Sequence, residues 1–286
     1  MNLRLPEKAL QTALRVAVYV FLVFAGVVLF GTALYWAFGN PIAAMLGAFA
    51  AGAVANQVVM KIYEDRSLVE IGLGWSAASL RHLLLGMVGG MVAALIVVLG
   101  PILEGVAELV KVPGRQVDWG AILVLLVLLL FGAMGEEMMF RGYGFQVLIG
   151  AVGPFATILP VSVLFAFLHA GNPNVTPLGL ANTALWGVLL GYAFYRSGDL
   201  WLPIGLHVGW NWTLPLLGTN LSGFTMNLTG YAMHSQVGPL WSGGDYGPEG
   251  SLSTSLVVVL LFLWLAVKAP VRRQRPFLLR ERWEEE

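Results

Sequence analysis

Trp119–Arg141 reads WGAILVLLVLLLFGAMGEEMMFR. The run is uncharged from Trp119 to Gly135, then meets Glu136, Glu137 and, four residues on, Arg141. A helix needs about 20 mostly apolar residues to cross the hydrocarbon core of a bilayer, so this stretch predicts a span that carries charge to membrane depth. The backbone must satisfy its own hydrogen bonds in lipid, which makes the span a helix.

The same reading extends outward in both directions. Val16–Ala37, Pro41–Met60 and Leu83–Leu103 precede this span, which starts at Trp119; Val152–His169, Pro177–Tyr195, Leu200–Leu217 and Leu252–Val267 follow it. The expectation is an all-α, polytopic integral membrane protein of about eight transmembrane helices. The chain then divides into 1–118, an N-terminal three-span region; 119–217, a core of spans four to seven; 218–250, a Gly-rich loop; and 251–286, the last span and a charged cytoplasmic tail. Glycines inside the spans (Gly86, Gly89, Gly90, Gly187, Gly191) mark places where helices approach closely. The first apolar run is too long for a signal-peptide core of about 7–15 residues, so it is read as a retained span behind Arg4, Lys8 and Arg15.

Composition agrees. The 286 residues are 58% hydrophobic and 11% charged, against about 25% charged in a soluble domain. That excludes a typical soluble enzyme, a disordered chain and a nucleic-acid binder, which needs a basic surface. Sixteen basic and sixteen acidic residues cancel, so net charge names no partner. The absence of cysteine excludes disulfides, thiolate nucleophiles and Cys-ligated metal. With eight spans, Lys111 and Arg115 fall on one side and every other Lys and Arg, from Arg4 to Arg282, on the other. Both termini are then expected in the cytoplasm, with the protein in a bacterial-type cytoplasmic membrane. The long segment Gly218–Gly250 reads as an external loop resting at the interface, with a lid over a site as the alternative.

Ionisable groups inside spans are costly and therefore functional candidates. Glu137 and Arg141 are four apart and share a helix face, where they can pair. Glu136 lies about 100° round the helix and lacks a partner at that spacing, which suits proton transfer. The fifth span ends in Phe165-Ala-Phe-Leu-His169, and the seventh carries His207-Val-Gly-Trp-Asn211. If spans four and five form a hairpin turning near 150–154, Glu136 and His169 lie at equal depth, each ~25 Å from the turn. Asn56, Gln57, Asn182 and Thr183 read as helix–helix hydrogen bonders, His82 as interfacial, and Trp210 and Trp212 as packing or belt residues, with lining of a cavity as the alternative.

Glu and His in a buried wet cavity suggest hydrolysis. Glu136 takes a proton from water, His169 orients that water or passes a proton to the leaving amine, and His207 with Asn211 binds the oxyanion. A second version places Zn²⁺ on His169 and His207 with Glu136 as carboxylate ligand and a bound water as nucleophile. The residues serve either version. No HExxH motif is present.

Glu136-Glu137-x-x-x-Arg141, Phe165-x-x-x-His169 and His207-x-x-x-Asn211, in this order on successive spans, resemble the three motifs of the CPBP family. These are the CAAX-protease and bacteriocin-processing intramembrane proteases, also called the Abi family. Gly142-Tyr143 directly after the arginine strengthens the resemblance; Gly144 and Phe145 depart slightly from it. The motif matches cover about residues 119–215, and the flanking spans match by hydropathy alone. The resemblance implies an intramembrane endopeptidase, similar to the type II CAAX prenyl endopeptidases, acting on a membrane-associated peptide or protein. It implies Glu136 as base, His169 as its partner, His207 and Asn211 as oxyanion donors, and Glu137 with Arg141 in support. Members are usually called metalloproteases, and a metal-free glutamate mechanism has also been proposed for them. The rival readings are a non-catalytic immunity or scaffold protein on the same fold, and a transporter, although the two symmetric halves a transporter predicts are not visible.

Overall fold

A computed structural model describes residues 5–279. Arg4, Arg280 and Arg282, which entered the charge asymmetry, and the acidic end of the tail lie outside the described residues. The main helices are α1 (Leu5–Phe38), α2 (Asn40–Glu64), α3 (Ala77–Leu103), α4 (Trp119–Arg141), α5 (Tyr143–Val152), α6 (Pro154–Leu168), α7 (Pro177–Ser197), α8 (Trp201–Leu216), the single turn α9 (Pro239–Ser242) and α10 (Leu252–Val267). Five stretches are long and apolar enough to cross a membrane: Pro6–Phe38, Ile42–Glu64, Ala77–Leu103, Trp119–Val152 and Pro177–Ser197. Pro154–Leu168 and Leu252–Val267 are shorter apolar helices. Large apolar side chains face outward along them, among them Phe24, Leu123, Val163 and Leu260. Such a surface is stable against lipid and not against water. The chain is an all-helical integral membrane protein.

One small sheet departs from the all-α expectation. β1 (Ala107–Lys111) pairs antiparallel with β2 (Tyr231–Ser235), in register from Ala107 opposite Ser235 to Lys111 opposite Tyr231. It ties the long loop to the end of α3, and Arg115 donates to Asn227 just beyond it.

α8 lies at the centre and is buried along nearly its whole length, which explains why it needs no full membrane-crossing run. It crosses α3 closely through glycines on both helices. A Cβ on Gly86 or Gly90 would meet the α8 backbone at Leu202 or Leu206, and one on Gly205 or Gly209 would meet α3 at Leu83 or Met87. Gly187 and Gly191 give α7 the same close approach to Ser162 and Ile158 of α6. Without a hydrophobic driving force between helices in lipid, such close packing carries the association. Gly90→Ala is therefore expected to lower stability by roughly 1–3 kcal/mol, read as a lower unfolding temperature in detergent. An unchanged temperature would mean that the crossing relaxes freely.

Spans four and five turn at Gly153, within the expected 150–154, but the fourth is not one continuous helix. α4 stops at Arg141, Gly142 breaks the run with φ −73° and ψ −145°, and α5 is a separate helix. The break is held by α2. Asn56 Nδ2 donates to Met138 O (3.0 Å), and Asn56 Oδ1 accepts from Tyr143 N (2.8 Å). Tyr19 Oη of α1 also donates to Met138 O, at 2.7 Å. One carboxamide thus bridges the break: it adds a donor to a carbonyl that already accepts from Gly142 N, and it satisfies the Tyr143 amide at the start of the next helix.

His82 is more than an interfacial residue. It is fully buried, its Nδ1 is 2.7 Å from Asp199 Oδ2 at the α7–α8 turn, and its Nε2 accepts from Arg272 N at 3.2 Å. The ring joins α3 to that turn and to the segment after α10, a role that sequence spacing could not reveal.

Candidate active site

Two helix ends and one helix centre supply the polar groups. Glu136, Glu137 and Arg141 come from the last turns of α4. Glu137 and Arg141 are fully buried, while the Glu136 side chain keeps 29% of its surface exposed. Arg141 Nη1 donates to Glu137 Oε1 at 3.1 Å, the i,i+4 pair expected from spacing. Arg141 does more than pair. Its Nη2 donates to Gly187 O of α7 (3.0 Å), and its guanidinium lies 5.0 Å over the Phe165 ring of α6. One planar side chain therefore ties α4 to α6 and α7.

Glu137 Oε1 also lies 3.1 Å from His207 Nδ1 of α8. A carboxylate only accepts, so Nδ1 carries the proton in this bond. The opposite nitrogen, Nε2, is 3.8 Å from Glu136 Oε2. His207 thus stands between two carboxylates that are adjacent in sequence but differ in environment. Glu136 Oε2 has no hydrogen-bond partner among the described residues.

His169 is the C-cap of α6. Its Nδ1 lies 2.7 Å from Phe165 O, one of the carbonyls a helix end leaves unpaired. A carbonyl only accepts, so Nδ1–H is the donor and a neutral ring keeps its lone pair on Nε2. The cap fixes the ring against the Phe165 ring, with centroids 4.6 Å apart.

Glu136, His169, His207 and Asn211 all line one cavity of about 530 Å³. Glu136 stands next to His207 within it; no direct contact joins Glu136 to His169 among the described residues. The remaining wall is largely apolar, with Leu125, Leu129, Phe165, Trp186 and Leu190 among its residues. Such a cavity suits a ligand with an extended apolar part and a polar end.

Zinc on His169, His207 and Glu136 would need these three side chains to draw together. No three His, Asp or Glu side chains come together as a metal-holding group among the described residues. Each imidazole has its Nδ1 held, by Phe165 O and by Glu137 Oε1, and keeps Nε2 as its one nitrogen for a ligand. A protein zinc site needs three or four convergent ligands.

The segment 218–250 does more than rest at the interface. Leu221, Ser222, Phe224, Met226 and Leu228 form a wall of the cavity, and the segment brings in a third carboxylate, Glu249. Glu249 was passed over in the sequence because it lies outside every span. Its position two residues before the Ser251 cap of α10 is the available signal. Its Oε1 accepts from Trp210 Nε1 (3.2 Å), and its Oε2 accepts from Ser222 Oγ (2.8 Å) and from Ser222 N. Burial pushes the Glu249 carboxyl above its ordinary range, against the hydrogen bonds from Ser222 and Trp210 that lower it. Trp210 is a buried cavity residue and not a belt residue. Asn182 holds the end of the loop instead of a neighbouring helix face alone: its Nδ2 donates to Glu249 O and Ser251 O, both at 2.8 Å, and its Oδ1 accepts from Ser255 Oγ of α10 at 2.6 Å.

Fold and site together describe a membrane-embedded helical protein with a carboxylate–imidazole centre inside an apolar cavity. Residues 118–213 match the family model of the Rce1-like, type II CAAX prenyl endopeptidases. The match bears out the resemblance to the CPBP family and supports a membrane protease. The matched segment contains all three motifs. No curated protein matches the chain.

Proposed function

We propose that the protein is an intramembrane endopeptidase that hydrolyses a peptide bond of a membrane-associated substrate, with Glu136 as the base for the attacking water. The observation that carries this reading is the contrast between two neighbouring carboxylates. Glu137 is fully buried with its Oε1 committed to Arg141 and His207, while the Glu136 side chain lines the cavity and keeps 29% of its surface exposed. Paired groups in unlike environments divide into a structural member and a reacting member.

The steps follow from the donors. Glu136 accepts a proton from water as the water oxygen attacks the scissile carbonyl. The carbonyl π-bond opens and its oxygen becomes the oxyanion. His207, in its doubly protonated form, donates from Nε2 to that oxyanion while Glu137 holds Nδ1, and the Asn211 amide provides a second donor one turn along α8. The C–N bond then breaks as the amine receives a proton. His169, with its lone pair on Nε2, orients the water and relays the proton. No step is routed through a metal. The apolar wall favours a substrate with a lipid-like or strongly apolar segment, and a prenylated CAAX-type end is one such substrate.

The test is cleavage of a quenched library of lipidated and membrane peptides by purified protein in detergent. Wild type and Glu136→Gln are each assayed with and without a strong chelator. Cleavage that survives chelator but not the substitution supports the metal-free glutamate base. Loss on chelation overturns the metal-free step, and equal cleavage by variant and wild type overturns the role of Glu136. No cleavage by either favours the scaffold or transporter reading.

The charge asymmetry supports cytoplasmic termini, in a bacterial-type cytoplasmic membrane. The chain has no cysteine, so single-cysteine labelling is clean. Exposed Lys268→Cys is expected to react with an impermeant maleimide from the cytoplasmic side only, and Lys111→Cys from the opposite side only. Labelling of both from one side would overturn the topology.

A further inference from the structure

Ser222 is one of three non-glycine residues with positive φ among the described residues, at 49°. That backbone conformation is unfavourable for a residue with a side chain and persists only where its surroundings enforce it. Here the enforcing group is Glu249. Both the amide and the hydroxyl of Ser222 donate to Glu249 Oε2. The neighbouring Gly223 N donates to Tyr246 O at 2.8 Å, and Leu221 and Phe224 close a β-bridge across the turn. The start of the loop is therefore fastened to its end through one carboxylate.

The other oxygen of that carboxylate faces the catalytic helix. Trp210, the donor to Oε1, lies on α8 between His207 and Asn211 and packs against Trp186 with ring centroids 4.9 Å apart. The Glu249 backbone is in turn held by Asn182 of α7. The residues fastened this way, Leu221 to Leu228, are the part of the loop that forms the cavity wall. Glu136, Glu137, Arg141 and His207 are fixed to one another without any contribution from the loop.

We propose that Glu249 is a positioning residue that latches residues 221–228 to α8 as a substrate-contacting wall of the cavity. The latch acts on substrate binding and not on the chemical step, an assignment that rests on the peptidase reading of the same site. Glutamine cannot replace the carboxylate. Trp210 approaches one oxygen with N–H and Ser222 approaches the other with N–H and O–H, so either orientation of an amide sets a donor against a donor.

The test uses full-length protein in detergent as wild type, Glu249→Gln, Ser222→Ala and the double variant. Steady-state cleavage of a quenched membrane peptide is read beside hydrogen–deuterium exchange across residues 218–235. Glu249→Gln is expected to raise KM about tenfold while kcat stays within about threefold. Ser222→Ala should raise KM by less, and the double variant should be no worse than Glu249→Gln, because both substitutions break one latch. Exchange should rise in 221–228 and stay unchanged in α3 and α8. A fall in kcat with KM unchanged, additive effects in the double variant, or unchanged exchange in 221–228 would each overturn the latch. Should Glu249→Gln fail to fold, Ser222→Ala carries the test, since it removes one hydroxyl and leaves the backbone intact. Should wild type cleave nothing, the peptidase reading falls and the exchange comparison still decides the latch.

Discussion

Glu136→Gln is expected to lower kcat/KM by about a thousandfold and to leave the unfolding temperature in detergent unchanged. The first half follows from chemistry. An amide has nearly the shape of a carboxylate and no basicity, so water is no longer deprotonated as it attacks. The second half follows from packing. Glu136 is partly exposed to the cavity, and its recorded ionic contact, to His207, is at 3.8 Å, beyond hydrogen-bond length. Little structure depends on it. Activity within about threefold of wild type would sink the assignment of Glu136. A large fall in unfolding temperature would show that the residue is structural.

Arg141→Ala is expected to act in the opposite way, costing roughly 3–5 kcal/mol of stability and leaving little folded protein to assay. The substitution strands Glu137 as a fully buried carboxylate without its cation. It also removes the donor to Gly187 O and the stack on Phe165, so α4 loses its ties to α6 and α7 together. Arg141→Lys should recover only part of this. An ammonium restores the charge, but it does not reach Glu137 and Gly187 O from one planar fork. The measurements are detergent thermal unfolding and the monodisperse yield from size exclusion. Normal yield and unfolding temperature for Arg141→Ala would mean that the pair contributes nothing to the fold. The two substitutions together separate adjacent elements of one motif: Glu136 for chemistry, Glu137 and Arg141 for the frame.

Local chemistry made much of this legible. Apolar run length predicts helices because lipid leaves the backbone no other partner, and helices occupy each stretch read as a span. The i,i+4 spacing of Glu137 and Arg141 predicts their pair because a helix places them on one face. The interior glycines marked close crossings, since only a missing Cβ permits such approach.

Other features depend on partners distant in sequence, which spacing cannot supply. The end of α4 at Gly142 is set by Asn56, 87 residues from its partner Tyr143. His82 reads as interfacial beside Arg81 but finds Asp199 across 117 residues. The hairpin of spans four and five turns at Gly153, but its first arm breaks at Gly142 into a separate α5, and both Glu136 and His169 line one cavity. Glu249 is invisible because a glutamate in a polar loop is ordinary until the loop folds against α8. What the sequence alone determined is the membrane-spanning helical character, the motif order and the Glu137–Arg141 pair, all of which depend on local periodicity and on the solvent the chain is in. Only the tertiary structure decided which nitrogen of each histidine is occupied, which glutamate is left facing the cavity and how segment 218–250 closes its wall. Those follow from hydrogen bonds and packing between helices whose relative placement no local pattern encodes.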